Sequence, residues 1–335
     1  MRSTTSVLIA PALPWVSTNA IGHHGNTSFD PETRVTVEGV ITEFDYRNPH
    51  SFLYLQSTDS AGDPIDVTIE AVGSSPRPFG VTADSLTAGE SVIVVMNPSR
   101  RTPDEWGLGV ELIKEGGTVV PLSVQFAREM ETRSTGIATS IAGVWVPRRE
   151  SFFQFVLGWG SMPLTEKGRQ ALQAYDVSQS SHARCISVPP PTLMLYGSIN
   201  VVEILDDQVC IHSDWMDAEH VIHTRGGNPD EARVPALHGY SVGHWEAQTL
   251  VVETTQFAEN NSGNGSGIAS GPRKRMIERF TLADDGTGID YSFVLEDPDY
   301  LAEPVTGGSR WNYRPDLESD DVVCDLGSAG RYLAE

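Results

Sequence analysis

Residues 238–255 read His-Gly-Tyr-Ser-Val-Gly-His-Trp-Glu-Ala-Gln-Thr-Leu-Val-Val-Glu-Thr-Thr, and this stretch decides which fold the chain can adopt. Its Gly239-x-Ser241-x-Gly243 motif is the pattern that surrounds the nucleophile of many serine hydrolases. Such a nucleophile elbow needs a helix directly after the serine. Here the following residues predict a β-strand over 243–257, and no alternation of strands and helices occurs elsewhere. The stretch therefore predicts a β protein in which Ser241 is a turn residue rather than an acyl-enzyme nucleophile.

The strand pattern continues on both sides of this stretch and predicts one large barrel. The predicted strands are 198–205, 208–215, 219–224, 243–257, 273–283, 288–295 and 308–314. Turns such as Asp206-Asp207 connect them as hairpins, and a Gly/Ser/Asn-rich loop is expected over 260–271. One helix is predicted over 164–175, with Thr165 as its N-cap. Residues 144–335 thus predict a lipocalin-like antiparallel β-barrel with one short helix, whose interior has room for a small ligand.

A smaller set of strands precedes this barrel. Residues 35–44, Val-Thr-Val-Glu-Gly-Val-Ile-Thr-Glu-Phe, alternate at period two, as a half-buried strand does. Further strands are predicted at 51–57, 66–71, 91–96 and 107–113. Five short strands predict an OB-like barrel over residues 23–122, so the chain is expected to be mostly β. Residues 123–143 are predicted to be a linker, with a short helical pattern at 124–132 and a Ser/Thr/Gly/Ala-rich part at 134–143.

Composition and the N-terminus indicate an exported protein. The formal charge of −22 over 335 residues repels nucleic-acid phosphates and anionic lipid heads. Residues 1–22 predict a signal peptide: Arg2 supplies a positive charge, residues 7–16 a short apolar core, and Ala20-Ile21-Gly22 a cleavage site. No stretch has the roughly 18 consecutive apolar residues of a membrane-spanning helix. We therefore expect a periplasmic or secreted protein with a small-molecule partner and no membrane span.

Three cysteines in an exported chain predict one disulfide and one remaining thiol. Cys185 lies in a Pro-rich loop and Cys324 near the C-terminus, and we expect these two to pair and close the second domain. Cys210 lies in the apolar run 209–211 and is expected to be a buried thiol. The spacing of the three cysteines does not match that of any common zinc-binding motif.

Several of these motifs together resemble an uncharacterised family of exported bacterial proteins with two domains. The matching segments of the first domain are His23-His24, Ser28-Phe29 and Asn48-Pro49-His50. The family's Gly-His-Ser-x-Gly-His-Trp-Glu motif is present at 239–246 with Tyr240 in place of its first histidine, and the family's next two residues, Gly-Asp, are Ala247-Gln248 here. Other matches are Glu278-Arg279-Phe280, Asp297-Pro298, Cys185 and Cys324. The resemblance implies a shared fold and assigns no activity.

Candidate catalytic residues lie in the same motif. His244 and Glu246 are two apart on a predicted strand, so both point to one face. If that face lines the barrel, burial and mutual interaction shift their pKa values, and the pair can act as general base and acid. His238 is expected at the barrel rim, and of the adjacent residues Glu278 and Arg279 only one can face inwards, Glu278 being the candidate. The alternative is a structural network in which His244 bonds to Glu246 and locks a hairpin.

A second candidate site is a metal centre at the N-terminus. Cleavage after Gly22 would leave His23 with a free amine, and this amine, its imidazole and His24 make a nitrogen-rich site that favours copper(II). His50 is the candidate for a further ligand. The alternative is that these histidines coordinate nothing. A looser histidine cluster, considered for zinc, is His212, His220 and His223.

The leading hypothesis is an exported enzyme that transfers protons on a small, partly apolar molecule held in the second barrel, as an isomerase, lyase or cyclase does. This hypothesis requires no cofactor. The alternatives are a non-catalytic ligand-binding protein of the lipocalin type and a copper-binding module. A cavity lined by unpaired polar groups favours the enzyme, whereas a filled or wholly apolar barrel favours binding or a structural role.

Overall fold

Two closed β-barrels make up most of the protein in a computed structural model, which describes residues 28–47, 49–72, 77–123, 133–228, 234–319 and 324–330. The expectation of a mostly β chain, with a small OB-like barrel followed by a larger one, is confirmed. The predicted signal peptide, the metal-site candidates His23 and His24, and the predicted helix at 124–132 lie outside the described residues.

The first barrel is built from short strands with alternating burial. Its strands are β1 (Val35–Asp45), β2 (His50–Thr58), β3 (Pro64–Val72), β4 (Ser91–Pro98), β5 (Trp106–Lys114) and β6 (Val119–Pro121). They pair in the order β3-β2-β1-β4-β5-β6, and a parallel pairing of β3 with β5 closes five of them into a barrel. In β4, Val92, Val94 and Met96 point into the core, because successive side chains of a strand point to opposite faces. The three-residue strand β6 is too short to produce a periodic signal, and it was not predicted.

The second barrel is larger and contains the candidate site. The strands that follow are β7 (Gly143–Pro147), β8 (Asn200–Ile204), β9 (Gln208–Ser213), β10 (Ala218–His223), β11 (Tyr240–Glu246), β12 (Thr249–Thr255), β13 (Asn260–Gly265), β14 (Ile268–Ser270), β15 (Arg275–Leu282), β16 (Gly288–Glu296) and β17 (Val305–Tyr313). Nine of them close in the order β10-β11-β12-β15-β16-β17-β7-β8-β9, while β13 and β14 form a separate hairpin. Large side chains such as Trp145, Phe280 and Trp311 are fully buried in the core of this barrel.

Three local features of this barrel differ from the prediction. The pair β10–β11 is parallel, through Ile222 opposite Ser241, so the barrel is not antiparallel throughout. The single strand predicted over 243–257 is two strands joined at Ala247-Gln248, where Ala247 has φ 54°. The predicted loop 260–271 forms the β13–β14 hairpin. Polar groups stabilise this hairpin, since the buried Asn264 amide donates to the carbonyl of Ala269 at 2.8 Å, and such bonds leave no trace in a hydrophobic pattern.

The α-helices among the described residues are short, and residues 193–195 pack in the core of the second barrel. The helices are α1 (Arg149–Gly158), α2 (Glu166–Gln173), α3 (Thr192–Leu195) and α4 (Leu326–Gly330), where one helix was expected. Helix α2 is the predicted one, and the Thr165 hydroxyl caps it by accepting a 3.0 Å bond from the Gly168 amide. Helix α1 contains the aromatic stretch at 151–158, and Phe155 meets Phe293 of β16 edge to face at 5.8 Å. No helix in the described part of the chain is long and apolar enough to cross a bilayer.

Buried contacts join the two barrels. The Arg77 side chain of the first barrel is 2% exposed, and its Nη1 donates to the backbone carbonyl of Asp214 at 3.2 Å. Arg314 of the second barrel donates from Nη1 to the Pro78 carbonyl at 2.7 Å. The predicted disulfide between Cys185 and Cys324 is present, and Cys210 is a buried free thiol as expected. This disulfide ties the start of α4 to the loop around Cys185, and the Ser328 hydroxyl of α4 donates to the His50 carbonyl of the first barrel at 2.8 Å.

Candidate proton-transfer site

The predicted pair His244 and Glu246 lies on the outside of the second barrel, so the expectation that it faces the interior is wrong. The two side chains are 66% and 51% exposed. The inward positions of β11 are Ser241 and Gly243, which are both buried. A Cβ on Gly243 would lie only 2.6 Å from Cγ2 of Ile222, so the core leaves room only for glycine there. Strand alternation then turns His244 and Glu246 outwards.

These two residues belong to a surface network. His244 Nε2 lies 3.3 Å from Glu246 Oε1, and Arg279 of β15 donates from Nη2 to Glu246 Oε2 at 2.6 Å. The bond from Arg279 holds the pKa of the Glu246 carboxyl below its usual value. This geometry matches the structural alternative, a cross-strand network on an exposed face, where ion pairs contribute little to stability.

A different histidine and glutamate meet inside the barrel. Five neighbouring strands of the barrel wall, β10, β11, β12, β15 and β16, each contribute one inward polar side chain. Each of these side chains is at most 3% exposed. They are His220 of β10, Ser241 of β11, Thr254 of β12, Glu278 of β15 and Tyr291 of β16. Of the adjacent residues Glu278 and Arg279, only one was expected to face inwards, and it is Glu278. The imidazole of His220 and the carboxyl of Glu278 approach to 3.8 Å between Nε2 and Oε2.

Hydrogen bonds link these side chains into one chain. The Tyr291 phenol donates to Oε1 of Glu278 at 2.9 Å, and the Thr254 hydroxyl donates to Oε2 at 3.5 Å. The Ser241 hydroxyl lies 2.8 Å from the Thr254 hydroxyl and 3.4 Å from Nε2 of His220. Ser241 and Thr254 thus link His220 to Glu278 in one compact polar cluster, in which the His220 ring also lies 3.8 Å from the Glu278 carboxyl.

The carboxylate end fixes the direction of these bonds. When Glu278 is ionised it only accepts, so Thr254 gives its proton to Glu278 and Ser241 gives its proton to Thr254. The Ser241 oxygen then accepts from His220, which places the ring proton on Nε2 and leaves a lone pair on Nδ1. That Nδ1 is buried and has no hydrogen-bond partner among the described residues.

Burial sets the protonation of both ends of the chain. Burial raises the pKa of the Glu278 carboxyl to about 7, against the opposing effects of the Tyr291 bond and the Lys274 charge. Burial also lowers the pKa of His220 to about 3, so its imidazole is neutral at physiological pH. Lys274 is fully buried, donates from Nζ to the Pro190 carbonyl at 2.7 Å, and has a pKa lowered by burial to about 7. Glu278 is thus poised near the pH at which general acids and bases work best.

A cavity of about 370 Å³ borders β10 and β11 at the His220 end of this chain. Its wall includes His220, His238, Tyr240 and Ser241. His238 Nδ1 lies 2.9 Å from the backbone carbonyl of Glu219, and because a carbonyl only accepts, Nδ1 carries the proton. His238 Nε2 is then an acceptor, and it is buried without a partner among the described residues. Burial also lowers the pKa of His238. His238 therefore lies at the site, although with His220 rather than with His244.

The other predicted histidine sites do not converge in the described structure. His212 pairs with Asp217 at 3.5 Å and His223 stacks on Tyr240 at 4.9 Å, so neither joins His220. Among the residues that the structure describes, no group of three or more His, Cys, Asp or Glu side chains is arranged to hold a metal ion. His50 Nδ1 lies 2.7 Å from Glu70 Oε1. Because His23 and His24 lie outside the described residues, the copper site stays a prediction.

Sequence reasoning assigned no role to Thr254 and Tyr291 and considered His220 only for zinc. Its prediction that Ser241 is a turn residue is wrong, because Ser241 lies in β11 and is buried. A signal was present for His220, because Ala218, His220 and Ile222 alternate with Glu219 and Val221 across the two faces of β10. A histidine that shares a face with alanine and isoleucine is expected to point into the core.

The first 108 residues of the chain include a segment with known relatives. Residues 12–108 match a family of unknown function (DUF6152). The matched segment covers strands β1 to β4 of the first barrel and the start of β5, and it contains no residue of the second barrel. No curated protein matches the chain.

Proposed function

We propose that the second barrel catalyses proton transfer on a small molecule bound in the cavity beside β10 and β11. The observation that carries this proposal is the hydrogen-bond chain from His220, in the cavity wall, to the buried carboxyl of Glu278. A buried polar group without a partner is costly. Nδ1 of His220, which lies at the cavity end of this network and has no partner among the described residues, therefore favours a role in binding or chemistry.

In this proposal His220 Nδ1 takes a proton from the bound molecule. The proton already on Nε2 moves to Ser241, the Ser241 proton to Thr254, and the Thr254 proton to Glu278, so one proton leaves the substrate and one arrives at the carboxylate. The reverse sequence returns the proton to a different atom of the substrate, which is an isomerisation, or a leaving group departs, which is an elimination. His238 Nε2 accepts a hydrogen bond from the substrate and orients it.

The cavity favours a neutral or cationic molecule that carries hydrogen-bond donors. Both unpartnered ring nitrogens, His220 Nδ1 and His238 Nε2, have lone pairs to offer in the assigned tautomers. Apolar wall residues, Val221, Ala236 and Leu237, contact the remainder of the molecule. These features support a partly apolar substrate with a hydroxyl, an amine or an acidic C–H bond.

One observation favours the alternative of a non-catalytic binding protein. Large side chains pack the barrel interior, with the ring of Phe280 5.6 Å from that of Trp311 and 4.9 Å from that of Tyr291. A filled barrel is consistent with a binding or structural role, and it leaves the cavity in the wall, rather than the barrel lumen, as the place for a ligand.

Elimination of nitrobenzisoxazole tests for catalysis without knowledge of the substrate. In this reaction a base removes the ring C–H proton as the N–O bond breaks, and the coloured cyanonitrophenolate forms. We expect the protein to accelerate it with saturation, and His220→Gln to lower the rate by about 100-fold, the scale of general-base catalysis. His238→Gln should lower the rate by a smaller factor, about tenfold, because His238 orients the substrate and does not take the proton. His244→Gln, on the exposed face of β11, is the matched control and should keep the full rate.

Two results would overturn the proposal. One is a rate no higher than that of free imidazole at equal concentration, and the other is a rate that the His220 and His238 variants leave unchanged. Because His220 is buried, thermal unfolding of each variant is measured in parallel, and the half-buried His238 provides the decisive variant if His220→Gln does not fold.

We also infer that the chain is exported, to the periplasm or beyond, with residues 1–22 as a signal peptide. The disulfide between Cys185 and Cys324 supports this inference, since stable disulfides form in oxidising compartments. The resemblance of the 239–246 motif to exported bacterial proteins supports it further. Fusion of residues 1–30 to a reporter enzyme that is active only outside the cytoplasm tests it, and an inactive fusion would contradict it.

A further inference from the structure

Arg77 has more hydrogen-bond donors than the residues described in the structure satisfy. Its side chain is 2% exposed, and its guanidinium lies over the ring of Tyr46, 5.1 Å from the centroid. Nη1 donates to the carbonyl and the carboxylate of Asp214 at 3.2 and 3.4 Å. Nε and Nη2 are buried and have no acceptor among the described residues. Leaving charged buried donors unpaired is destabilising, so this edge of the guanidinium is suited to an acceptor from outside the chain.

A second arginine nearby shows which acceptor fits this edge. Arg314 donates from Nε and from Nη2 to the two carboxylate oxygens of Asp316, each at 2.9 Å. Nε–H and Nη2–H of an arginine point in parallel, and they match the two oxygens of a carboxylate. The unpartnered atoms of Arg77 are the same two, so the pair of donors with which Arg314 holds a carboxylate has no acceptor at Arg77 among the described residues.

Arg77 lines a cavity of about 220 Å³ between the two barrels. Its wall combines residues 46, 77 and 80–82 of the first barrel with Ile199, Asp214 and residues 316–318 of the second. Clefts between domains are frequent small-molecule sites, because residues from both sides converge on the ligand. A ligand held here would contact both barrels at once.

We propose that this cavity binds the carboxylate group of a small organic acid through Nε and Nη2 of Arg77. The charges around the cavity favour a single negative charge over a phosphate dianion. Asp214 neutralises one side of Arg77, Arg314 neutralises Asp316, and the exposed Glu318 adds a negative charge at the cavity wall. A monocarboxylate matches the two parallel donors while meeting the least repulsion. This site is separate from the proposed proton-transfer site and does not depend on it.

Isothermal titration calorimetry of the full-length protein with sodium acetate tests the proposal. We expect saturable binding, and weaker binding of acetamide, which has the same shape without the charge. Arg77→Lys keeps the charge and removes the fork, and it should lower acetate affinity about tenfold or more. The exposed Arg101→Lys is the matched control and should leave the affinity unchanged.

A second variant keeps the test decisive if Arg77→Lys weakens the contact between the barrels. Glu318 is exposed, so Glu318→Gln should fold normally, and removal of its charge should raise acetate affinity about twofold to fivefold at low salt. Any of four results would overturn the proposal. Two of them are that acetate shows no saturable binding, or that acetamide binds as well as acetate. The other two are that inorganic phosphate binds more tightly than acetate, or that both variants leave the acetate affinity unchanged.

Discussion

Oε1 of Glu278 accepts a 2.9 Å hydrogen bond from the phenol of Tyr291, and both side chains are buried inside the second barrel. The bond stabilises the ionised carboxylate, whereas burial favours the neutral acid, and the balance leaves the pKa of Glu278 at about 7. Burial also raises the pKa of Tyr291 well above its usual value, so the phenol remains a donor over the whole accessible pH range. A carboxyl in this state can both accept and release a proton near neutral pH.

The pH dependence of stability should report the ionisation of Glu278. Its pKa is about 7 in the fold and about 4.3 in the unfolded chain, so its stabilising contribution is fully present below about pH 4.3 and is lost as the pH rises through 7. We expect Glu278→Gln to remove this loss, so that between about pH 5 and pH 7 its free energy of unfolding declines less, or rises more, than that of the wild type.

Urea denaturation at several pH values measures this difference. The control is Glu246→Gln on the barrel surface, whose carboxyl has a lowered pKa in the fold, so that its contribution is already complete above about pH 5. If the free energy of unfolding changes with pH in the same way in the wild type and in Glu278→Gln, Glu278 does not ionise between about pH 5 and pH 7.

Ser241 should be needed for the hydrogen-bond chain but not for the fold. Ser241→Ala removes both the 2.8 Å contact to Thr254 and the 3.4 Å contact to His220. We expect it to lower the nitrobenzisoxazole rate by about tenfold or more while leaving the Michaelis constant near its original value, since the hydroxyl moves protons and is not the substrate anchor. Ser292→Ala, at an exposed position of β16, serves as the control, and a rate equal to the wild-type rate would exclude Ser241 from the relay.

Phe280 should contribute more to stability than any surface residue of the same barrel. Its ring is fully buried among Tyr291 and Trp311, so Phe280→Ala leaves a cavity and should reduce the free energy of unfolding by about 3–5 kcal/mol. Ile204→Ala, at a position 42% exposed, should change it by less than about 1 kcal/mol. Chemical denaturation gives both values, and a small effect at Phe280 would contradict the packing described for the barrel.

The disulfide should stabilise the protein by restricting its unfolded state. It joins residues 139 positions apart, and replacement of both Cys185 and Cys324 by serine should cost about 2–5 kcal/mol. Hydrogen exchange should then quicken at α4, whose Ser328 hydroxyl donates to the His50 carbonyl at 2.8 Å. Cys210→Ser is the control for loss of a thiol alone, and unchanged exchange at α4 would show that other contacts hold this helix.

The sequence predicted strands well where one face is apolar and the other polar. In β1 the period-two alternation identifies both the strand and its buried face, and both agree with the structure. In β12 the run Leu250-Val251-Val252 is buried throughout, so the pattern identifies a strand without identifying its inward face. That ambiguity passed to β11 across the Ala247-Gln248 turn, and it is the physical reason why His244 was assigned to the interior.

The polar chain itself has contributors that are distant in sequence. His220 and Tyr291 are brought together by the closure of the barrel, in which β10 pairs in parallel with β11 after a connection of some sixteen residues. Parallel closure depends on the twist and length of all nine strands, which no local pattern records. Glu278 could be predicted as a candidate because only one of the adjacent residues Glu278 and Arg279 can face inwards. Its partners could be predicted only from the register of the four strands that contribute them.

The contact between α4 and the first barrel also constrains the order in which the protein can be completed. The His50 carbonyl is made early in synthesis, but its partner Ser328 arrives some 280 residues later, after every strand of the second barrel. The covalent bond that positions Ser328 likewise needs Cys324. The first barrel therefore leaves the ribosome with one flank uncovered, and α4 can cover that flank only after all strands of the second barrel have been synthesised.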